Sequence, residues 1–147
     1  MKIEHMGFIV QAPIDMGAWY AEHLGFRIVV RNGDNDQGST WLADDAGALL
    51  IELGATPTTP PVDFASLAPL QVHLAVASED AEEDSRRLQA AGAAFVERCA
   101  SAPGDTILLL RDPWGMAIQL VQRGPDSPFR RSASSACYFE SGHCHAD

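Results

Sequence analysis

The chain has 147 residues, 46% of them hydrophobic, and 20 acidic against 10 basic side chains give a net charge of −10. That is the size and apolar content of one globular domain, and the acidic balance argues against a nucleic-acid backbone or an anionic membrane surface as partner. No run approaches the ~18 apolar residues of a membrane span, and Met1-Lys2-Ile3-Glu4-His5 lacks the purely apolar stretch of a signal peptide.

In chain order, residues 2–10 predict a strand rich in Ile, Phe and Val. Pro13 and Asp15 open a helix over 14–23 that ends at Gly25, with Ile14, Ala18, Ala21 and Leu24 on its apolar side. Residues 26–31 predict a strand and 32–38 a turn-rich loop. Asp34-Asn35-Asp36 in that loop lacks the glycine and distal glutamate of a calcium loop. Strands over 40–43 and 48–53 follow, joined through Asp44-Asp45-Ala46-Gly47. Residues 55–69, with Pro57, Pro60 and Pro61, form a linker. The same order then returns. A strand spans 71–77, and Ser78 caps a helix over 81–91 whose first turn is acidic, as the helix dipole favours. Gly92 ends that helix; strands over 94–99, 106–110 and 116–121 follow, with Asp112-Pro113-Trp114-Gly115 as a tight turn before the last. Residues 124–147 are rich in Ser, Pro and Gly and read as an irregular tail. Cys99, Cys137 and Cys144 are odd in number, follow no C-x-x-C spacing and read as free thiols in a reducing, cytoplasmic setting.

The chain is thus one domain over 1–123 built from two β-α-β-β-β units, 1–54 and 70–123, each marginal alone. The repeat extends to chemistry-bearing residues. His5 and His73 lie 68 residues apart, Glu52 and Gln119 lie 67 apart, and Arg31 with Arg98 and Asp45 with Asp112 fall on the same offset. Strand side chains alternate faces. His5 therefore shares a face with Gly7 and Ile9, Glu52 with Leu50, His73 with Ala75, and Gln119 with Ala117. Each polar residue lies opposite the greasier set, beside small residues that leave space. A lone strand histidine is more often a packed or solvated side chain than a ligand. The joint recurrence at matching positions is what points to one metal site made by both units.

These residues carry a family resemblance over 1–123. His5, Trp19-Tyr20, Leu24-Gly25-Phe26, Ile51-Glu52-Leu53, His73 and Arg111-Asp112-Pro113-Trp114-Gly115 leading into Ile118-Gln119-Leu120 resemble the vicinal oxygen chelate superfamily of glyoxalase I, bleomycin resistance proteins and extradiol dioxygenases. The resemblance implies an α+β fold of paired βαβββ units in a curved mixed sheet around a central cavity, and a homodimer. At the ligand positions the chain is most similar to bacterial-type glyoxalase I. That implies one divalent ion (Ni, Zn, Fe, Mn or Co) on His5, Glu52, His73 and Gln119, and Lewis-acid stabilisation of an enediolate from a small oxygenated substrate such as a thiol adduct of an α-keto aldehyde. Gln119 departs from the pattern. An amide binds a cation more weakly than a carboxylate and takes no proton at neutral pH, so Glu52 becomes the expected catalytic base and metal occupancy is left open. A non-catalytic drug-binding protein of bleomycin-resistance type is the alternative, and a dioxygenase the second. Trp19, Trp41 and Trp114 are candidate substrate-pocket residues, against a packing role. Arg31 and Arg98 are read as solvated strand ends, and His143-Cys144-His145 as part of the tail.

Overall fold

The computed structural model describes residues 3–47 and 49–129. The first unit is β1 (Met6–Ile9), α1 (Pro13–Leu24), β2 (Arg27–Gly33), β3 (Gly38–Ala43) and β4 (Leu50–Gly54). After one turn of 3-10 helix, Phe64–Ser66, come β5 (His73–Ala77), α2 (Ala81–Ala90), β6 (Ala94–Arg98), β7 (Thr106–Arg111) and β8 (Ala117–Gln122). The fold is α+β with two βαβββ units. Each unit forms its own four-stranded mixed sheet, in the orders β1-β4-β3-β2 and β5-β8-β7-β6. The β1–β4 and β5–β8 pairs are parallel and the others antiparallel.

The repeat is kept in the register. Glu52 pairs with Gly7 on one side and Trp41 on the other, as Gln119 pairs with Ala75 and Leu109. Even the irregularities repeat: the register shifts between Ile28 and Val30 in β2, and between Phe95 and Glu97 in β6.

α1 starts on Pro13 and stops at Gly25, whose φ of 74° is the left-handed conformation that favours glycine. Its N-cap, Ala12, has no side-chain acceptor. The cap comes from elsewhere in the chain: Asn35 Oδ1 accepts from the backbone N–H groups of Ile14 (3.0 Å) and Asp15 (3.2 Å). The loop that superficially suggested calcium thus closes a helix end, while Asp34 Oδ1 accepts from the N–H groups of Asp36 and Gln37. α2 is capped by Asp80, which accepts from Glu83 N–H, and not by Ser78, whose hydroxyl instead donates to Asp84 at 2.6 Å. The two serve the same turn, and Asp80 stands next to the first helical residue.

The inward face of α1 differs from the expected one. Pro13, Met16, Gly17 and Tyr20 are buried, while Ala18 is exposed and Ile14, Ala21 and Leu24 are half-buried. The reason lies in two residues that hydrophobic spacing overlooks. Gly17 lets the helix lie so close to β3 that an added Cβ would come within 2.4 Å of Thr40 Cγ2. Tyr20 can face inward because its hydroxyl donates to Asp112 at 2.8 Å.

One apolar core serves both units. Met16, Tyr20, Leu42, Ile51 and Leu53 from the first pack in one cluster with Leu88, Leu108, Leu110, Ile118 and Leu120 from the second. Polar contacts lock the seam: Trp19 Nε1 donates to Ala91 O (2.9 Å), and Arg87 Nη1 to His23 O (2.6 Å). Arg111 donates to the carbonyls of Phe64, Leu67 and Gly115, pinning the linker to the turn before β8. The tail begins more firmly than expected. Buried Asp105 accepts from Arg123 (2.6 Å), Gly124 N–H (2.9 Å) and Ser127 (3.0 Å). Cys137, Cys144 and the His143-Cys144-His145 segment lie outside the described residues.

Candidate functional site

Because the shared core takes the helix side of both sheets, each sheet's other face is left for chemistry. On the first, His5 sits just before β1 and not inside it, since the strand starts at Met6. Its Nε2 stands 3.5 Å from Glu52 Oε2, with both side chains about one-third exposed (35% and 34%). Gly7, between them in the register, keeps the space open: a Cβ there would lie 3.3 Å from Glu52 Oε2 and 3.9 Å from His5 Nε2. His5 Nδ1 contacts the Glu4 carboxylate. A carboxylate that accepts from one imidazole N–H leaves the other nitrogen with its lone pair free for a ligand, and here that nitrogen is Nε2, on the Glu52 side. Trp41 packs against the His5 ring at 4.8 Å between centroids, on the strand that pairs Glu52.

On the second sheet His73 is exposed at the start of edge strand β5, and Gln119 is half-buried on β8, beside Ala75 in the register. Cys99, which continues β6 by donating its N–H to Ile107 O, lies beside Gln119. Burial and the Glu97 charge push the Cys99 thiol up, with the Gln119 amide acting the other way. No sequence pattern singled this cysteine out.

Of the four predicted ligands, His5 and Glu52 stand together on the first sheet, while His73 and Gln119 lie on the second. Among the described residues no three His, Cys, Asp or Glu side chains gather where they could hold a cation. The core explains this: the units meet through their helix sides, so their open faces do not meet within one chain.

The predicted aromatic pocket divides as well. Trp41 belongs to the His5–Glu52 face. Trp19 and Trp114 contact each other edge-on at 6.5 Å in the seam between the units, both packed on the core. Arg98 pairs with Glu82. Next to Glu52 the same face opens into a depression of about 420 Å³, lined by Asn32, Gln37, Ser39, Glu52 and Thr56 over Ile9.

The most perturbed acid lies elsewhere. Asp112 is buried in the turn before β8, and burial pushes its carboxyl up to about 6, against hydrogen bonds from Tyr20 and the Trp114 and Met116 N–H groups. Tyr20 is raised well above its ordinary value by burial and by Asp112. This pair is a structural joint between the units.

Two βαβββ units, each with a histidine at or just before an edge strand and a carboxylate or amide on the next, repeat one arrangement of polar residues on their open faces. The chain belongs to the Glyoxalase/Bleomycin resistance protein/Dioxygenase superfamily, whose family model matches residues 2–120. It is similar to a glyoxalase family protein from Bacillus cereus (18% identity, TM-score 0.69, covering 83% of this chain and 93% of that one). It is also similar to TnmS3, an antibiotic-binding protein from Streptomyces sp. CB03234 (25% identity, TM-score 0.58, 84% and 99% covered). A third likeness is to FosX, a fosfomycin resistance protein from Listeria monocytogenes (12% identity, TM-score 0.62, 86% and 96% covered). The first and third, both under 25% identical, speak to the fold alone. Among curated proteins the comparison finds no match. No helix among the described residues is long and apolar enough to cross a membrane.

Proposed function

We propose that the chain works as a homodimer in which His5 and Glu52 of one protomer face His73 and Gln119 of its partner, around one divalent cation, to run glyoxalase-type lyase or isomerase chemistry on a small oxygenated substrate. The observation that carries this is the His5–Glu52 pair, 3.5 Å apart on a glycine that leaves room between them, with a repeat-matched histidine and amide on the other sheet. The donor set fits. Two imidazoles, a carboxylate and an amide oxygen suit a first-row divalent ion. The histidines stand at edge strands whose outer sides carry no partner strand among the described residues, so a second copy has room to bring its half-site there.

When bound, the cation polarises a substrate carbonyl. Glu52 is the one carboxylate among the four residues, so one of its oxygens takes the proton from the carbon beside that carbonyl. Gln119 holds and orients through its amide oxygen but takes no proton. Glu4 orients His5. The test is metal content of the full-length protein after loading with Zn or Ni. About one ion per chain, lost in a folded His5→Ala, His73→Ala variant, is the expected result; equal metal in both proteins rejects the site.

A second reading is favoured by Gln119 itself, which weakens cation binding and removes one base. The similarity to an antibiotic-binding protein supports it too. On this reading the same face holds a small molecule without turning it over. A protein that stays metal-free after loading, and whose Trp41 fluorescence is quenched by a ligand, establishes the binder in place of the enzyme.

A further inference from the structure

We infer that the depression beside Glu52 is a subsite for a neutral, hydroxyl-bearing portion of the ligand, and that in the metal-free protein it rejects carboxylate- or phosphate-bearing groups. The inference rests on reading the Glu52 face as the site, and it adds the chemical class of what binds there.

Strand pairing sets the arrangement. Asn32 pairs with Ser39, and Val30 with Trp41, so these residues share the face that carries Glu52. Arg31 falls between them and pairs with Thr40, which is fully buried against α1, so its side chain belongs to the opposite face. Among the described residues no Lys, Arg or His lines the depression. The turn from β2 to β3 closes its far wall. That turn is tight enough that a Cβ on Gly33, at φ 70°, would meet Gln37 O at 2.2 Å. The depression, about 420 Å³, is shallow and open to solvent, with room for a small polar group.

The lining chemistry decides between classes. In the metal-free protein an anionic group would lie beside Glu52, in a chain of net charge −10, with no counter-charge in the wall among the described residues. An apolar group would cover Asn32, Gln37 and Ser39, whose side chains make no hydrogen bond among the described residues, and leave them unpaired and dry. Hydroxyl or carbonyl groups would engage all three, and Ile9 with the Gly54 backbone supplies a short apolar floor. Sites built to hydrogen-bond a hydroxyl discriminate strongly against analogues that lack it.

The test uses metal-free, isotope-labelled full-length protein and two probes, dihydroxyacetone as the neutral one and glycolate as the anionic one. The side-chain amide resonances of Asn32 and Gln37 report directly. Dihydroxyacetone is expected to shift both, glycolate at equal concentration to leave them in place, and Ser39→Val to weaken the dihydroxyacetone response about tenfold. Asn32→Leu serves as a second variant with the same expected loss, should Ser39→Val disturb the sheet. Equal or stronger shifts with glycolate, no shift with either probe, or an undiminished response in both variants overturns the subsite. Because no metal is present, this outcome is separate from the metal-loading experiment, whose failure would overturn the enzyme reading alone.

Discussion

Single residues set the chemistry, and Gln119 is the one that departs most from the pattern around it. It occupies the repeat position of Glu52, pairs in the same register, and differs by one protonatable oxygen. Gln119→Glu would give the cation a second carboxylate, and the expected result is roughly tenfold tighter Zn binding by calorimetry; unchanged affinity would place residue 119 outside the coordination sphere. Asp112 is a different case, an acid whose surroundings oppose its charge. Its carboxyl is raised to about 6 from an ordinary 3.8 because burial outweighs the hydrogen bonds from Tyr20, Met116, Trp114 and Gly115. The folded state therefore holds its proton more tightly than the unfolded chain. Stability rises as pH falls from above 6 towards 4, by roughly 3 kcal/mol at most. Asp84 and Asp105 shift the other way. Hydrogen bonds from Ser78 and Arg87 hold Asp84 down against its burial, and those from Arg123 and Gly124 hold Asp105 down, so their contributions are lost only at still lower pH. Denaturant midpoints in Asp112→Asn should lose the rise between pH 7.5 and 4.5 and be no lower than the parent's at pH 7.5. A parent curve that falls over that interval contradicts the assignment.

At the scale of elements, α1 shows how tertiary contacts override local rules. By propensity alone, Gly17→Ala inside a helix gains ~1 kcal/mol. Here the new Cβ would meet Thr40 Cγ2 at 2.4 Å and Thr40 Cβ at 2.7 Å, both fixed in a buried strand. Overpacking of that kind costs about 1–3 kcal/mol, so the expected outcome is a net loss of stability, read as a lower thermal midpoint. Asn35→Ala removes the acceptor that caps α1 from the β2–β3 turn and should cost about 1 kcal/mol, with Ala12→Ser on that background recovering part of it. The same helix shows what the sequence made legible. Its start at proline and stop at glycine were readable because those residues act through their own backbone. Its inward face was not, because Gly17 and Tyr20 face inward through partners, Thr40 and Asp112, that are distant in sequence. The Asn35 cap escaped for the same reason, as did the change from Ser78 to Asp80 on α2, where two capping residues lay within one turn.

At the scale of the whole molecule, duplication made the fold readable: one offset aligned elements, register and even the bulges of β2 and β6. It also made the ligand-type residues visible, since His5, Glu52, His73 and Gln119 recur together. Periodicity says which face a side chain takes, but not which faces of two units meet. The seam of buried Tyr20 and Asp112 with half-buried Trp19 and Trp114 settles that question by bringing the helix sides together. The homodimer proposed above would join the open faces between chains, and that has a consequence that a site within one chain cannot imitate. Take one variant carrying His5→Ala and another carrying His73→Ala. Each homodimer lacks one imidazole in both sites, so each is expected to bind Zn poorly. Mixed, dissociated and re-paired at random, half the dimers are heterodimers. In those, one site combines both defects, and the other joins an intact His5 to an intact His73. Tight Zn binding should return to about a quarter of the wild-type stoichiometry per chain. If each site lay within a single chain, mixing would restore none, and the homodimer proposal would fail with it.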